Sequence, residues 1–248
     1  QSAAGRRGLM SSALPLLVTP PHACSYLPEQ VSQSAFIDPN LPITPWRYQR
    51  LLEIGFRRSG PQVYRPWCEA CEACRSLRIP VAEFRPNRSQ RRTRARNQDL
   101  RVLHRPMALR DEEFALYRAY TAARHGGSMA EASAEEYMAF LSTDWCETRL
   151  LCLYAGRQLL AVAVTDVLPN ALSAVYTFFD PQQGRRALGV QAILTQLDWA
   201  QELGLAHLYL GYWVANSRKM AYKAQYRPME ILLAANWRRI NPGDTPPA

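Results

Sequence analysis

Apolar positions crowd the second half of the chain into three blocks separated by turn residues. Residues 149–154, 159–168 and 172–179 are rich in leucine, valine, alanine and aromatic side chains, and Gly156-Arg157 and Pro169-Asn170 interrupt them. Such a pattern predicts an antiparallel meander of buried strands. Further on, Ile193, Leu197, Ala200 and Leu203 recur at helical spacing and Gly204 follows, which predicts an amphipathic helix with a glycine stop. The run 206–214 is again apolar and aromatic. Strand, helix and strand in that order predict a parallel crossover, after which 217–226 reads as another helix and 229–237 as a last strand.

The first half is less regular, because Pro28, Pro39, Pro42, Pro45 and Pro61 break long elements. A helix is expected over 45–54, ended by Gly55, then a hairpin over 56–64 around Ser59-Gly60 and a strand over 76–84. Helices are expected over 111–125 and 133–141, the second opened by a capping box of Ser133 and Glu136; His125, past the end of the first, reads as a capping or surface residue. The expected fold class is α+β, an acetyltransferase-like (GNAT-type) mixed sheet flanked by helices with a small irregular Cys-containing N-terminal lobe, on fold analogy. Residues 1–9 read as an addition ahead of a natural start at Met10. The lobe takes 10–84, a basic connector 85–110, the acetyltransferase-like catalytic domain 111–240 and a disordered tail 241–248.

Charge narrows the class of partner. The 248 residues carry 30 Lys and Arg against 21 Asp and Glu, a formal net charge of +9, which favours a polyanion, nucleic acid first. No apolar run approaches the roughly 20 residues of a membrane span; no membrane partner and a cytoplasmic location are expected. Seven arginines fall in 85–101 against one acid, Asp99. With Ser89 as N-cap and Asn97 as stop, Arg91, Arg92, Arg94 and Arg96 crowd a short helix where they repel one another, and Arg88 directly precedes it. They read as phosphate contacts to RNA or as a solvated basic linker. Arg185 and Arg186 add charge to the turn ahead of the 193–203 helix, where backbone N–H groups already favour anions.

Three cysteines form Cys68-Glu-Ala-Cys71-Glu-Ala-Cys74, a spacing that suits thiolates converging on a metal better than a disulfide ladder. Cys24 is the candidate fourth ligand, with His22 as its substitute. A zinc or iron-sulfur site and reduced thiols lining a pocket both stay open. Cys146 and Cys152 read as small buried hydrophobes.

Longer motifs carry a resemblance. Cys24-Ser-Tyr-Leu27, Tyr64-Arg-Pro-Trp-Cys68 through Cys74, Phe84-Arg-Pro-Asn-Arg-Ser89 through Asp99, Phe179-Asp-Pro181, Leu208-Tyr-Leu-Gly-Tyr-Trp213 and Lys219-Met-Ala-Tyr-Lys223 occur in the order seen in the arginyl-tRNA-protein transferase family. Over residues 20–237 the chain resembles that family, and within it the bacterial aspartate/glutamate leucyltransferase branch. The resemblance implies transfer of leucine from charged tRNA to proteins or peptides with N-terminal Asp or Glu, which marks them for degradation. The chain departs from the eukaryotic members, which carry a Cys-Gly-Tyr-Cys motif: Leu27 stands at the second cysteine, so the four cysteines divide one and three.

An aminoacyl ester is already activated, so an enzyme of this kind has chiefly to hold a neutral amine against the ester carbonyl and stabilise the oxyanion. No cofactor is required for that chemistry. Asp180 reads as the group that holds the donor's ammonium or draws a proton through water, or else as a turn residue; Tyr176 and Tyr212 read as hydroxyls lining the site. Lys219 and Lys223, four apart on an expected helix, share a face with Tyr222 on an adjoining one; they read as contacts to tRNA phosphate or to the acceptor's acidic side chain, or as a solvated face, and Arg75, with Arg65 and Arg78, is the alternative to them for binding the acceptor. Arginine as donor keeps every motif. An acetyl-CoA-dependent N-acetyltransferase is disfavoured by Gln191, where a pyrophosphate-binding turn needs a small residue. A non-catalytic RNA-binding protein is the alternative of a different class.

Overall fold

Short polar and proline-bearing stretches keep the first elements small. The computed structural model describes residues 14–124, 131–217 and 219–247, so Met10 and His125 lie outside the described residues. Strands β1 (Leu16–Val18), β2 (His22–Ala23), β3 (Val31–Ser32) and β4 (Ser34–Ile37) precede helix α1 (Pro45–Glu53). Pro45 opens α1, and the Thr44 hydroxyl accepts the Arg47 N–H as its cap. The expected hairpin follows as β5 (Arg57–Ser59) and β6 (Gln62–Pro66), and β1-β4-β6-β5 form an antiparallel sheet.

Then come β7 (Arg75–Pro80), α2 (Arg88–Arg96), β8 (Leu100–Pro106), α3 (Asp111–Arg124) and α4 (Ala134–Leu141). The meander is β9 (Glu147–Ala155), β10 (Gln158–Leu168) and β11 (Ala171–Phe179). It leads into α5 (Leu188–Glu202), β12 (His207–Trp213), β13 (Met229–Leu233) and β14 (Asn236–Ile240). An eight-stranded mixed sheet results, in the order β14-β13-β7-β12-β11-β10-β9-β8, with β11 and β12 its parallel pair. Side chains of β10 alternate between two cores: Val162 and Val164 pack with Tyr117 of α3 and Tyr137 of α4, while Ala161 and Ala163 pack with Leu188 and Ala192 of α5. Helices therefore cover both faces, which is why β10 reads as a continuous apolar run.

Several expectations change. The lobe and the large sheet share β7, which runs antiparallel between β12 and β13, and β8 of the basic connector pairs with β9 at the edge. Helix α2 is capped by Asn87, in a capping box with Gln90, two residues before Ser89. The helix expected over 217–226 is reduced to a 3-10 turn, Ala221–Gln225, so Lys219 and Lys223 do not share a helical face. Lys219 is exposed in a turn and Lys223 is buried. The expected last strand is a hairpin whose turn holds Ala234 and Ala235 at positive φ, conformations no side-chain pattern announces. In the expected tail, Asn241 and Asp244 close a turn.

Candidate active site

The parallel pair that the chain order dictates does not stay paired. Strands β11 and β12 are in register only through Ala171↔His207, Leu172↔Leu208 and Ser173↔Tyr209. Beyond that point β11 stays with β10, β12 stays with β7, and the sheet forks toward the carboxyl ends of both strands. A bulge between Tyr209 and Gly211 turns β12 away. Open α/β sheets place ligands at such a crevice outside the strand ends.

Arg57 of β5 stands at the apex of the fork. Its guanidinium donates to Ser173 Oγ at 3.4 Å and to the Ala174 carbonyl, the first residue of β11 past the parallel pairing. Gly211 makes room for it, since a Cβ built there would lie 3.3 Å from the guanidinium carbon. Lys223 lies near, its Nζ donating to the Tyr212 carbonyl at 2.8 Å. Each residue is only 8% exposed, and among the described residues neither has a carboxylate within ion-pair distance. Burial, and then the charge of Arg57, push the Lys223 amine down to about 7. The adjacent Arg58 has the opposite environment, a fully buried ion pair with Asp166. Reading the hairpin for its turn alone misses Arg57. The available signal is two consecutive arginines in a strand whose alternation puts one on each face.

Beside the fork, between the lobe and the β13–β14 hairpin, lies an open cleft of about 800 Å³. Cys24, Cys68, Cys71 and Cys74 all line it, with Arg75, Tyr64 and Tyr212, so the structure gathers residues spread over the first 212 positions. Burial pushes the Cys74 thiol up to about 12, and the other three thiols add to the shift. The donor chemistry is that of a zinc or iron-sulfur site, yet as placed no three His, Cys, Asp or Glu side chains among the described residues form a ligand set. Arg75 pairs with exposed Glu72 at 3.3 Å. The Tyr212 hydroxyl donates to the Gly55 carbonyl at 2.9 Å, and burial raises its pKa well above 10. Cys146 and Cys152 are buried away from this cleft.

Asp180 directly follows β11, and its Oδ1 accepts the Gln182 N–H at 2.9 Å, a turn contact. Tyr176 packs among Tyr117, Tyr120 and Phe140, where burial raises its pKa. Tyr222 is 41% exposed as a residue, and burial of its hydroxyl, then Tyr120, raise its pKa.

The arginines divide into two sets. Arg88, Arg91, Arg92 and Arg96 of α2 are exposed, as is Arg185. Arg94 pairs with Asp198 of α5 at 2.6 Å, and Arg186 grips both oxygens of Asp99 at 2.8 Å. Asn97 Nδ2 donates to the Arg186 carbonyl at 2.8 Å, and Arg96 donates to the Arg185 carbonyl. The basic helix is thus fastened to the turn that follows β11, at the mouth of the fork.

Comparison with known proteins agrees along most of the chain. Residues 22–92 match the family described as arginine-tRNA-protein transferase, N terminus, and residues 112–233 its C terminus. An aspartate/glutamate leucyltransferase of Pseudomonas fluorescens is 49% identical over 229 residues, 92% of this chain and 97% of that protein. One of Halorhodospira halophila is 50% identical over 230 residues, 92% and 98%. Among solved structures, the C-terminal domain of a putative lysylphosphatidylglycerol synthetase from Agrobacterium fabrum is similar over 69% of this chain and 53% of that one, with a TM-score of 0.46 at 12% identity.

Proposed function

The chain belongs to the arginine-tRNA-protein transferase family, and from that premise we propose that it is a cytoplasmic aminoacyltransferase that moves leucine from charged tRNA to the N-terminal Asp or Glu of a protein. Relatives half identical over nearly their full length bear the name of that activity. Arginine as donor, acetyl-CoA chemistry and RNA binding without catalysis are not favoured. Among the described residues no helix is long and apolar enough to cross a membrane.

The observation that carries the reading is the fastening of an exposed arginine face to the mouth of an acetyltransferase-like fork. Arg88, Arg91, Arg92, Arg96 and Arg185 bind phosphates of the tRNA and bring its aminoacylated end to the fork. Arg94 and Arg186, held by Asp198 and Asp99, keep that face in place. In the reaction the acceptor's neutral α-amine attacks the ester carbonyl, a C–N bond forms, the C–O bond to the ribose breaks, and the amine proton passes to the ribose oxygen. Asp180 is the proposed group for holding the donor's ammonium or relaying that proton. Tyr176 and Tyr222 line the donor side, and Tyr212 supports the wall between fork and cleft. Arg75 and Lys219 are proposed to guide the acidic acceptor inward. An activated ester needs no cofactor; zinc or an iron-sulfur cluster on Cys24, Cys68, Cys71 and Cys74 would serve to staple the irregular, strand-poor side of the lobe.

The test is transfer of radiolabelled leucine, and separately arginine, from charged tRNA to peptides beginning with Asp, Glu or Ala. Leucine on the Asp and Glu peptides alone is the expected result. Absence of transfer with tRNA still bound would overturn the assignment.

A further inference from the structure

We propose that Arg57 and Lys223 together form the receptor for the side-chain carboxylate of the acceptor's first residue. The inference rests on the transferase reading above and adds to it the residue pair that selects the acidic acceptor.

Two cationic groups buried near one another without a counter-ion are unfavourable, and the amine of such a pair gives up its proton readily unless an anion joins them. Arg57 has five N–H groups; the contacts at the fork are Ser173 Oγ and the Ala174 carbonyl, both neutral. Among the described residues Lys223 donates to the Tyr212 carbonyl and has no acid partner, and its depressed pKa is what a buried amine in that situation shows. Within β5, Arg58 has Asp166, and Arg57 has no equivalent among the described residues. An anion entering the fork would fill that place.

Size decides which anion. A backbone phosphate carries a sugar on each side and cannot reach two groups that are each 8% exposed, whereas the exposed arginines of α2 meet phosphates at the surface. A carboxylate at the end of one or two methylenes is slender enough. It also tethers the reacting amine, because an Asp or Glu bound through its side chain holds its α-amine a few ångströms away, at the fork itself. Neutral Asn and Gln in the same place would leave both cations unpaired, a penalty that produces strong discrimination.

The experiment uses the full chain with leucyl-tRNA and peptides that differ only in beginning with Asp or Asn. Wild-type enzyme must first transfer leucine to the Asp peptide; if it does not, the reaction assignment fails before the inference is reached. Lys223→Met and Arg57→Lys are then compared, with thermal unfolding as the control for folding. Lys223→Met removes a buried charge without creating one, so it keeps a folded variant in the comparison. The expected result is a KM for the Asp peptide raised by at least about tenfold, a preference for Asp over Asn reduced by a similar factor, and a KM for leucyl-tRNA within about twofold of wild type. An unchanged preference for Asp over Asn in both variants would overturn the proposal. So would an effect confined to the KM for leucyl-tRNA, which would place the pair on the donor.

Discussion

Arg58 holds Asp166 by two hydrogen bonds of 2.6 Å, from Nε to Oδ2 and from Nη2 to Oδ1, with both side chains almost wholly out of water. The same guanidinium donates to the Gly60 and Leu141 carbonyls, and the Thr148 hydroxyl donates to Asp166 Oδ1. Strand β5 of the small sheet is thereby locked to β10 of the large one. Asp166→Asn leaves the guanidinium buried without its countercharge and is expected to lower stability by about 3–5 kcal/mol, measured as the shift in a urea unfolding curve.

Gly60 seals the same seam by shape. It has φ +55°, its N–H donates to the Phe140 carbonyl at 2.7 Å, and a Cβ there would lie 2.0 Å from the Ala139 carbonyl oxygen. Backbone on both sides leaves no flexible atom to yield. Gly60→Ala is expected to cost more than about 3 kcal/mol, read from the loss of soluble folded protein and the fall in thermal midpoint. Gly156→Ala, where nothing lies within 4 Å, bears only the strain of its own positive φ and is the milder control.

Lys223 makes stability depend on pH. Its amine is held near 7 in the fold against 10.5 ordinarily, so between those values the unfolded chain binds a proton that the folded chain has shed. Stability therefore rises with pH through this window, and below it the burial penalty is present in full. Lys223→Met removes the titrating group. The gain in stability of the variant over wild type is expected to be largest near pH 7 and to shrink toward pH 10, as followed by urea midpoints across that range.

The exposed arginines are proposed to act through charge. Replacing Arg91 and Arg92 by alanine is expected to weaken tRNA binding at every sequence tested, and to flatten the dependence of log affinity on log salt by about 0.7–0.9 for each phosphate no longer neutralised. Arg94→Ala instead removes a partner of Asp198, so its main effect is expected on the seating of α2. Filter binding over a salt series separates the two behaviours.

Most elements follow from local sequence. The meander, α5, α1, the hairpin and the Ser133 capping box depend on periodicity and on caps formed within a few residues, so their positions are written in the chain. The same holds for the Cys68, Cys71, Cys74 spacing and for the density of arginine in α2. Tertiary structure decided what those pieces became. Strand β7 lies in the large sheet because β12 and β13 offer it partners more than a hundred residues away, and Lys223 is buried because the chain after β12 takes a 3-10 turn where side-chain spacing suggested a helix. Above all, Arg57 and Arg58 are neighbours with the same side chain, yet Arg58 is neutralised by Asp166 and Arg57 has no acid partner among the described residues. Which carboxylate faces which guanidinium is set by the packing of distant strands, and no local pattern of residues carries that information.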